Sequence, residues 1–102
     1  MKKIIDGKMY NTETAKEIGN WSNNSSYNDF SYCEETVYRK KTGEFFLRGE
    51  GGAMSRYARD CSDNTSGYGR RIVPIDLERA KEWVERHCST ETYEELFGTV
   101  EE

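Results

Sequence analysis

The stretch from Phe30 to Arg48 constrains the fold more than any other part of the chain. From Phe30 to Lys40 the residues alternate with the period of a strand. Phe30, Tyr32, Thr36 and Tyr38 fall on one face, with Glu34 breaking the apolar row, and Cys33, Glu35, Val37 and Arg39 fall on the other. Lys41-Thr42-Gly43-Glu44 is a turn, and Glu44 to Arg48 returns as a second strand, ended by Gly49-Glu50-Gly51-Gly52.

Hairpins and short helices account for the rest. Lys2–Ile5 and Lys8–Tyr10 flank Asp6-Gly7, a dipeptide that suits the type I′ turn because both central positions need positive φ. Thr12 to Ile18 is expected as a short helix, capped by Asn11 or Thr12 and ended by Gly19. Asn20 to Asn28, rich in Asn and Ser, reads as a loop pinned by Trp21 and Tyr27. Ala53 to Asp60 is expected as a second short helix with Met54, Tyr57 and Ala58 on its apolar side, followed by a loop from Cys61 to Arg70. Arg71 to Ile75 is a short strand that Pro74 places near an edge. Asp76 is a natural N-cap for a helix from Leu77 to His87, in which Leu77, Ala80, Trp83, Val84 and His87 keep helical spacing. Ser89 or Thr90 caps a last helix through Phe97, with Tyr93, Leu96 and Phe97 inward and Gly98 as terminator. The expected class is α+β: a small antiparallel sheet of hairpins packed with short helices, two of them at the C-terminus. The 102 residues suit one domain, with 99–102 frayed.

Composition narrows the function classes. Only 34% of residues are hydrophobic and 33% are charged, but 13 aromatics supply a core and argue against disorder. The N-terminus is charged with no long apolar run behind it, so neither a secretory signal nor a membrane span is expected, and the cytoplasm is the expected location. Cys33, Cys61 and Cys88 form no CxxC pair, which points to free thiols in a reducing cytosol; one disulfide is the less favoured alternative. Net charge is −4 but unevenly spread: residues 1–35 carry −2, residues 36–71 carry +4 and residues 72–102 carry −6. Such asymmetry can mark an interaction surface, or two regions that face each other.

Catalytic signals are weak. His87 is the sole histidine, and at a helix C-terminus the dipole favours its protonated ring, a structural role. Gly49-Glu50-Gly51-Gly52 before a helix could cradle a phosphate, but the lysine and serine or threonine of a P-loop are missing, and a tight corner explains the glycines better. Glu34, Glu35, Glu44, Glu50 and Asp60 lack the spacing of a magnesium site. No cofactor and no metal are expected. The sharpest feature is a basic group, Arg39, Lys40, Lys41, Arg48, Arg56, Arg59, Arg70 and Arg71, interleaved with Tyr38, Tyr57 and Tyr68. Arginines among tyrosines suit phosphates and unstacked bases, and equally suit protein hot spots. An alternative surface is acidic: Glu78, Glu82 and Glu85 with Glu91, Glu94, Glu95, Glu101 and Glu102.

Several stretches also resemble a known group. The opening Lys3-Ile4-Ile5-Asp6-Gly7-Lys8-Met9-Tyr10-Asn11-Thr12-Glu13-Thr14-Ala15, then Glu34-Glu35-Thr36-Val37-Tyr38-Arg39, Phe46-Leu47-Arg48-Gly49-Glu50-Gly51-Gly52-Ala53-Met54-Ser55 and Tyr93-Glu94-Glu95-Leu96-Phe97-Gly98 resemble small proteins of conjugative elements, plasmids and prophages of Gram-positive bacteria. Some members of that group are anti-CRISPR proteins against type II-A Cas9, similar to those that hinder its assembly with guide RNA. The resemblance covers nearly the whole length and transfers no residue role. It implies a non-enzymatic protein whose partner is Cas9, its guide RNA or both. Either acidic helices cover the basic RNA channel of Cas9, or the basic hairpin grips the guide. A small nuclease cutting guide RNA and a mobile-element accessory protein with another partner are the alternatives. The long hairpin leaves an edge through which a symmetric homodimer could form.

Overall fold

In the computed structural model, which describes residues 1–61 and 65–102, the elements in chain order are β1 (Lys2–Ile5), β2 (Lys8–Asn11), β3 (Lys16–Ser22), β4 (Cys33–Arg39), β5 (Phe45–Gly51), β6 (Arg59–Asp60), β7 (Ser66–Gly67), β8 (Gly69–Ile75), α1 (Leu77–His87) and α2 (Thr90–Phe97). The class is α+β. Three antiparallel sheets form: β1-β2, the four-stranded β3-β4-β5-β8, and β6-β7.

The period-two reading of β4 holds, and it decides the layers. Val37 of β4 pairs with Leu47 of β5 and Arg39 with Phe45. Val37, Phe45 and Leu47 pack against Ala80, Trp83 and Val84 of α1, and Phe97 of α2 meets Phe45 at 5.7 Å between ring centroids. On the opposite face Phe46 is fully buried, stacked on Tyr38 at 5.2 Å and edge-on to Tyr10 at 5.5 Å. Tyr10 brings the β1-β2 hairpin down as a second cover. Each such buried side chain contributes about 1.5–3 kcal/mol.

Local chemistry sets the boundaries. Asp6 and Gly7 both have positive φ, 50° and 78°, as the type I′ turn requires. Asp76 caps α1 by accepting from the Arg79 N–H at 2.8 Å, and Ser89 caps α2 by accepting from the Thr92 N–H at 3.2 Å. Gly98 ends α2 with its N–H on the Glu94 carbonyl at 2.9 Å. Pro74 lies on β8, an edge strand.

Several expectations are corrected. No helix forms at Thr12–Ile18: the Ala15 N–H bonds to the Asn11 carbonyl at 3.1 Å in a single turn, and from Lys16 the chain runs as β3 beside β4. A helix there would leave the β4 edge unpaired, so the ladder overrides propensity. The loop expected from Asn20 therefore starts later, after Ser22. The main strand begins at Cys33, not Phe30, which is 67% exposed. Finally, Ala53–Asp60 is not helical: turns run from Ala53 to Tyr57, with the Met54 N–H on the Phe30 carbonyl and the Ser55 N–H on the Gly52 carbonyl, and Arg59–Asp60 is β6; Met54 is exposed and Tyr57 buried. Within the loop expected from Cys61 to Arg70, the structure has β7 and the start of β8, and residues 62–64 lie outside the described residues. Among the described residues no helix is long and apolar enough to cross a membrane.

Candidate nucleic-acid interface

A single buried acid organises the helix-covered face. Glu35 is 5% exposed. Its Oε1 accepts from Trp83 Nε1 at 3.0 Å, while Oε2 accepts from the Tyr57 hydroxyl and faces Arg56 Nη1 at 3.5 Å. Donors from α1 and from the turns after β5 thus satisfy one carboxylate of β4, as a buried charge demands. Burial, and then the Glu35 acceptor, push the Tyr57 phenol well above its ordinary value.

Tyr57 can reach Glu35 because β5 carries Gly49. A Cβ at Gly49 would fall on the Tyr57 ring, and at Gly51 and Gly52 it would strike Ser55 and the backbone of Tyr32, Phe30 and Asp29. The Gly49-Glu50-Gly51-Gly52 run therefore carries β5 on to Gly51, where the strand ends within the run, and does not stand before a helix as a phosphate cradle would. Gly49, Glu50 and Gly51 lie inside β5, no helix follows, and the missing side chains admit a crossing segment.

Above this hub lies a row of guanidinium groups. The Arg56 side chain is 72% exposed, so only its inner side is engaged. Arg71 donates to the Arg56 carbonyl at 3.0 Å, and its guanidinium carbon sits 5.4 Å from the Tyr57 ring centroid. From α1, Arg79, Glu82, Trp83, Arg86 and His87 project as one stripe, at the i, i+3, i+4, i+7, i+8 spacing of a helix face. Three adjoining hollows follow the row. One, of about 300 Å³, lies among Trp21, His87, Arg56, Arg79 and Arg86. The next, of about 250 Å³, shares Arg56 and Arg79 with it and adds Arg71. The third, of about 650 Å³, shares Tyr57 and Arg71 with the second and adds Arg59 and Arg70. Among the described residues Arg71, Arg79 and Arg86 form no ion pair.

The structure divides the expected basic set. Arg56, Arg59, Arg71 and Tyr57 are brought onto this track, while Arg70 and Tyr68 border only its last hollow, Arg70 lying across from Glu50 on the opposite face and Tyr68 bonded to Glu50. Arg39, Lys40 and Lys41 sit apart at the β4-β5 tip. Arg39 lies over the Phe45 ring at 5.5 Å; Lys40 lies over Tyr10 at 4.3 Å and pairs with Glu44 at 3.6 Å. Arg48 is on the opposite face, paired with Glu50 at 2.8 Å, and Tyr38 is taken up by Phe46. Arg79 and Arg86 were missed because they fall in the acidic third of the chain; their spacing of seven, flanking Trp83, was the available signal. Of the acidic alternative, Glu78 and Glu85 are exposed on α1, while Glu82 lies on the rim of the first hollow.

His87 also differs from expectation. Its ring lies 4.8 Å from both the Trp21 and Trp83 ring centroids. Burial pulls its pKa below the ordinary value, against the pull of Glu35, so the neutral ring is favoured in place of the dipole-stabilised cation. The candidate carboxylates do not converge: Glu35 faces α1, Glu34 and Glu50 pair across the opposite face, and Glu44 bonds Lys8. Among the described residues no group of three or more His, Cys, Asp or Glu could hold a metal ion. The three cysteines are free thiols, and burial raises those of Cys33 and Cys88.

Compared with protein-family models, curated proteins and solved structures, the chain matches none.

Proposed function

We propose that this chain is a non-catalytic anti-CRISPR protein that hinders assembly of type II-A Cas9 with its guide RNA, and that the arginine track engages the guide. The target comes from the sequence resemblance. The choice of RNA over an acidic-helix contact rests on one observation: the guanidinium groups of Arg71, Arg79 and Arg86, which form no ion pair among the described residues, line adjoining concave hollows beside aromatic rings. Guanidinium forks match phosphate geometry, and aromatic rings accept unstacked bases. Net charge of −4 is no obstacle, because the track is local and eight of the 19 acidic residues lie on α1, α2 and the C-terminal end.

The nuclease alternative draws no support from the acids. Glu35 is buried and held by Trp83 and Tyr57, and Glu34 and Glu50 are held by Tyr32 and Tyr68 on the other face.

The test is guide loading onto a type II-A Cas9, with the protein added before or after the guide. Inhibition only when it is added first, with the RNA intact, is the expected result. Shortened RNA would support the nuclease, and no effect in either order would overturn the loading mechanism.

A further inference from the structure

The end of the track nearest β3 differs chemically from the rest, and the difference points to a ligand. Elsewhere the hollows are lined by arginines, by the single rings of Tyr57, Tyr68 and Trp83, and by aliphatic side chains of β5 and β8. Here Trp21 of β3 and His87 of α1 stand 4.8 Å apart with a 34° interplanar angle, and buried Trp83 backs His87. Trp21 is half-buried, so part of its indole borders the 300 Å³ hollow. Arg56, Arg79 and Arg86 stand around the same hollow, and the two α1 arginines are two helical turns apart, about 10 Å along the axis.

From this juxtaposition we propose that the hollow between Trp21 and α1 is a binding site for one unpaired nucleotide of a single-stranded RNA. The base stacks on the Trp21–His87 pair, and the phosphates on either side are held by Arg56, Arg79 and Arg86. The inference rests on the RNA reading above and narrows it to the single strand. A duplex keeps its bases stacked on one another and offers none to an aromatic platform, whereas a single strand offers one per nucleotide.

The floor adds a preference among bases. Its polar groups are the Glu35 carboxylate and, at the rim, Glu82. Carboxylates only accept hydrogen bonds. Bases with an exocyclic amino group can donate to them; uracil, with a carbonyl on each side of its one ring N–H, is the poorest fit. Glu35 keeps acceptor capacity after binding Trp83 and Tyr57, because a carboxylate has about four lone-pair sites.

The experiment is a tryptophan-fluorescence titration of the whole protein with four probes of equal length: single-stranded oligoadenylate, single-stranded oligouridylate, an abasic ribose-phosphate strand and an RNA duplex. Oligoadenylate should quench fluorescence and bind at least about tenfold tighter than the abasic strand or the duplex, with oligouridylate between. Arg79→Glu/Arg86→Glu, at exposed helix positions, should abolish binding while leaving circular dichroism unchanged. Trp21→Leu should bring oligoadenylate down to the abasic affinity; if that variant does not fold, the probe series on the wild type still decides. Equal affinity for all four probes, a preference for duplex, or equal competition by an acidic peptide would overturn the proposal. Cas9 loading run in parallel separates the two readings. Single-strand preference without a loading effect retains the pocket and overturns the guide-loading function; loading inhibition without single-strand preference does the reverse.

Discussion

Glu35 and Glu50 pose the same physical problem on opposite faces of one sheet. Each is a buried acid on a central strand, 5% and 8% exposed, and each takes a tyrosine hydroxyl and an arginine. Glu50 pairs directly across from Glu34, a repulsive placement that Tyr68, Arg48 and Tyr32 absorb. Its arginine lies close, at 2.8 Å, and is mostly covered, so the site is closed. At Glu35 the arginine is loose, at 3.5 Å, and largely exposed, because Trp83 and Tyr57 already satisfy the acid. Counting arginines in the sequence treats Arg48 and Arg56 alike; what separates them is whether the carboxylate has other donors.

The comparison can be broken from the Glu35 side by a single methyl group. Gly49→Ala places a Cβ on the Tyr57 ring and should expel it from the hub, destabilising the protein by about 3 kcal/mol or more in urea unfolding. Removing the acids sharpens the contrast. Glu35→Ala orphans the Tyr57 hydroxyl and Trp83 N–H and should cost about 3 kcal/mol, whereas Glu50→Ala frees a partly exposed Tyr68 and relieves the repulsion with Glu34, costing about 1 kcal/mol. Equal losses would mean the two hubs are equivalent after all.

Alkaline titration probes both hubs together. Burial and then Glu50 raise the Tyr68 phenol, burial and then Glu35 raise Tyr57, and the hydrogen bond to Glu34 leads in raising Tyr32 to about 12. Above the ordinary phenol pKa the unfolded chain loses these protons first, so stability should fall as pH rises from about 10. Phenolate absorbance should therefore appear late and together with unfolding. At the acid end His87 acts in the other sense: its lowered pKa means the unfolded chain takes up the proton first, so its contribution is lost as pH falls below about 6.5. The smallest stability effect belongs to Arg79→Glu/Arg86→Glu, within about 0.5 kcal/mol, because both side chains are exposed.

The sequence made legible what short-range chemistry decides. Asp6-Gly7, the β4 alternation, Asp76, Ser89 and Gly98 each carry their own signal, and the structure uses each as expected. The misread segments answer to distant partners. Lys16–Ser22 becomes a strand because β4 offers an edge, and Ala53–Asp60 follows Tyr57 onto Gly49, neither of which local propensity contains. The site was half legible for the same reason. Arg56 and Arg71 stand out in the sequence beside Tyr57, but Arg79 and Arg86 belong to an acidic stretch and join them only because α1 packs against β4.

The central claim is that the cleft arginines, and not those of the β4-β5 tip, engage the guide. It is tested most directly by comparing Arg79→Glu/Arg86→Glu with Arg39→Glu/Lys40→Glu/Lys41→Glu in inhibition of guide loading onto type II-A Cas9. The account predicts that the first variant weakens inhibition by about tenfold or more and the second by no more than about threefold. The reverse order, or equal losses, would contradict it.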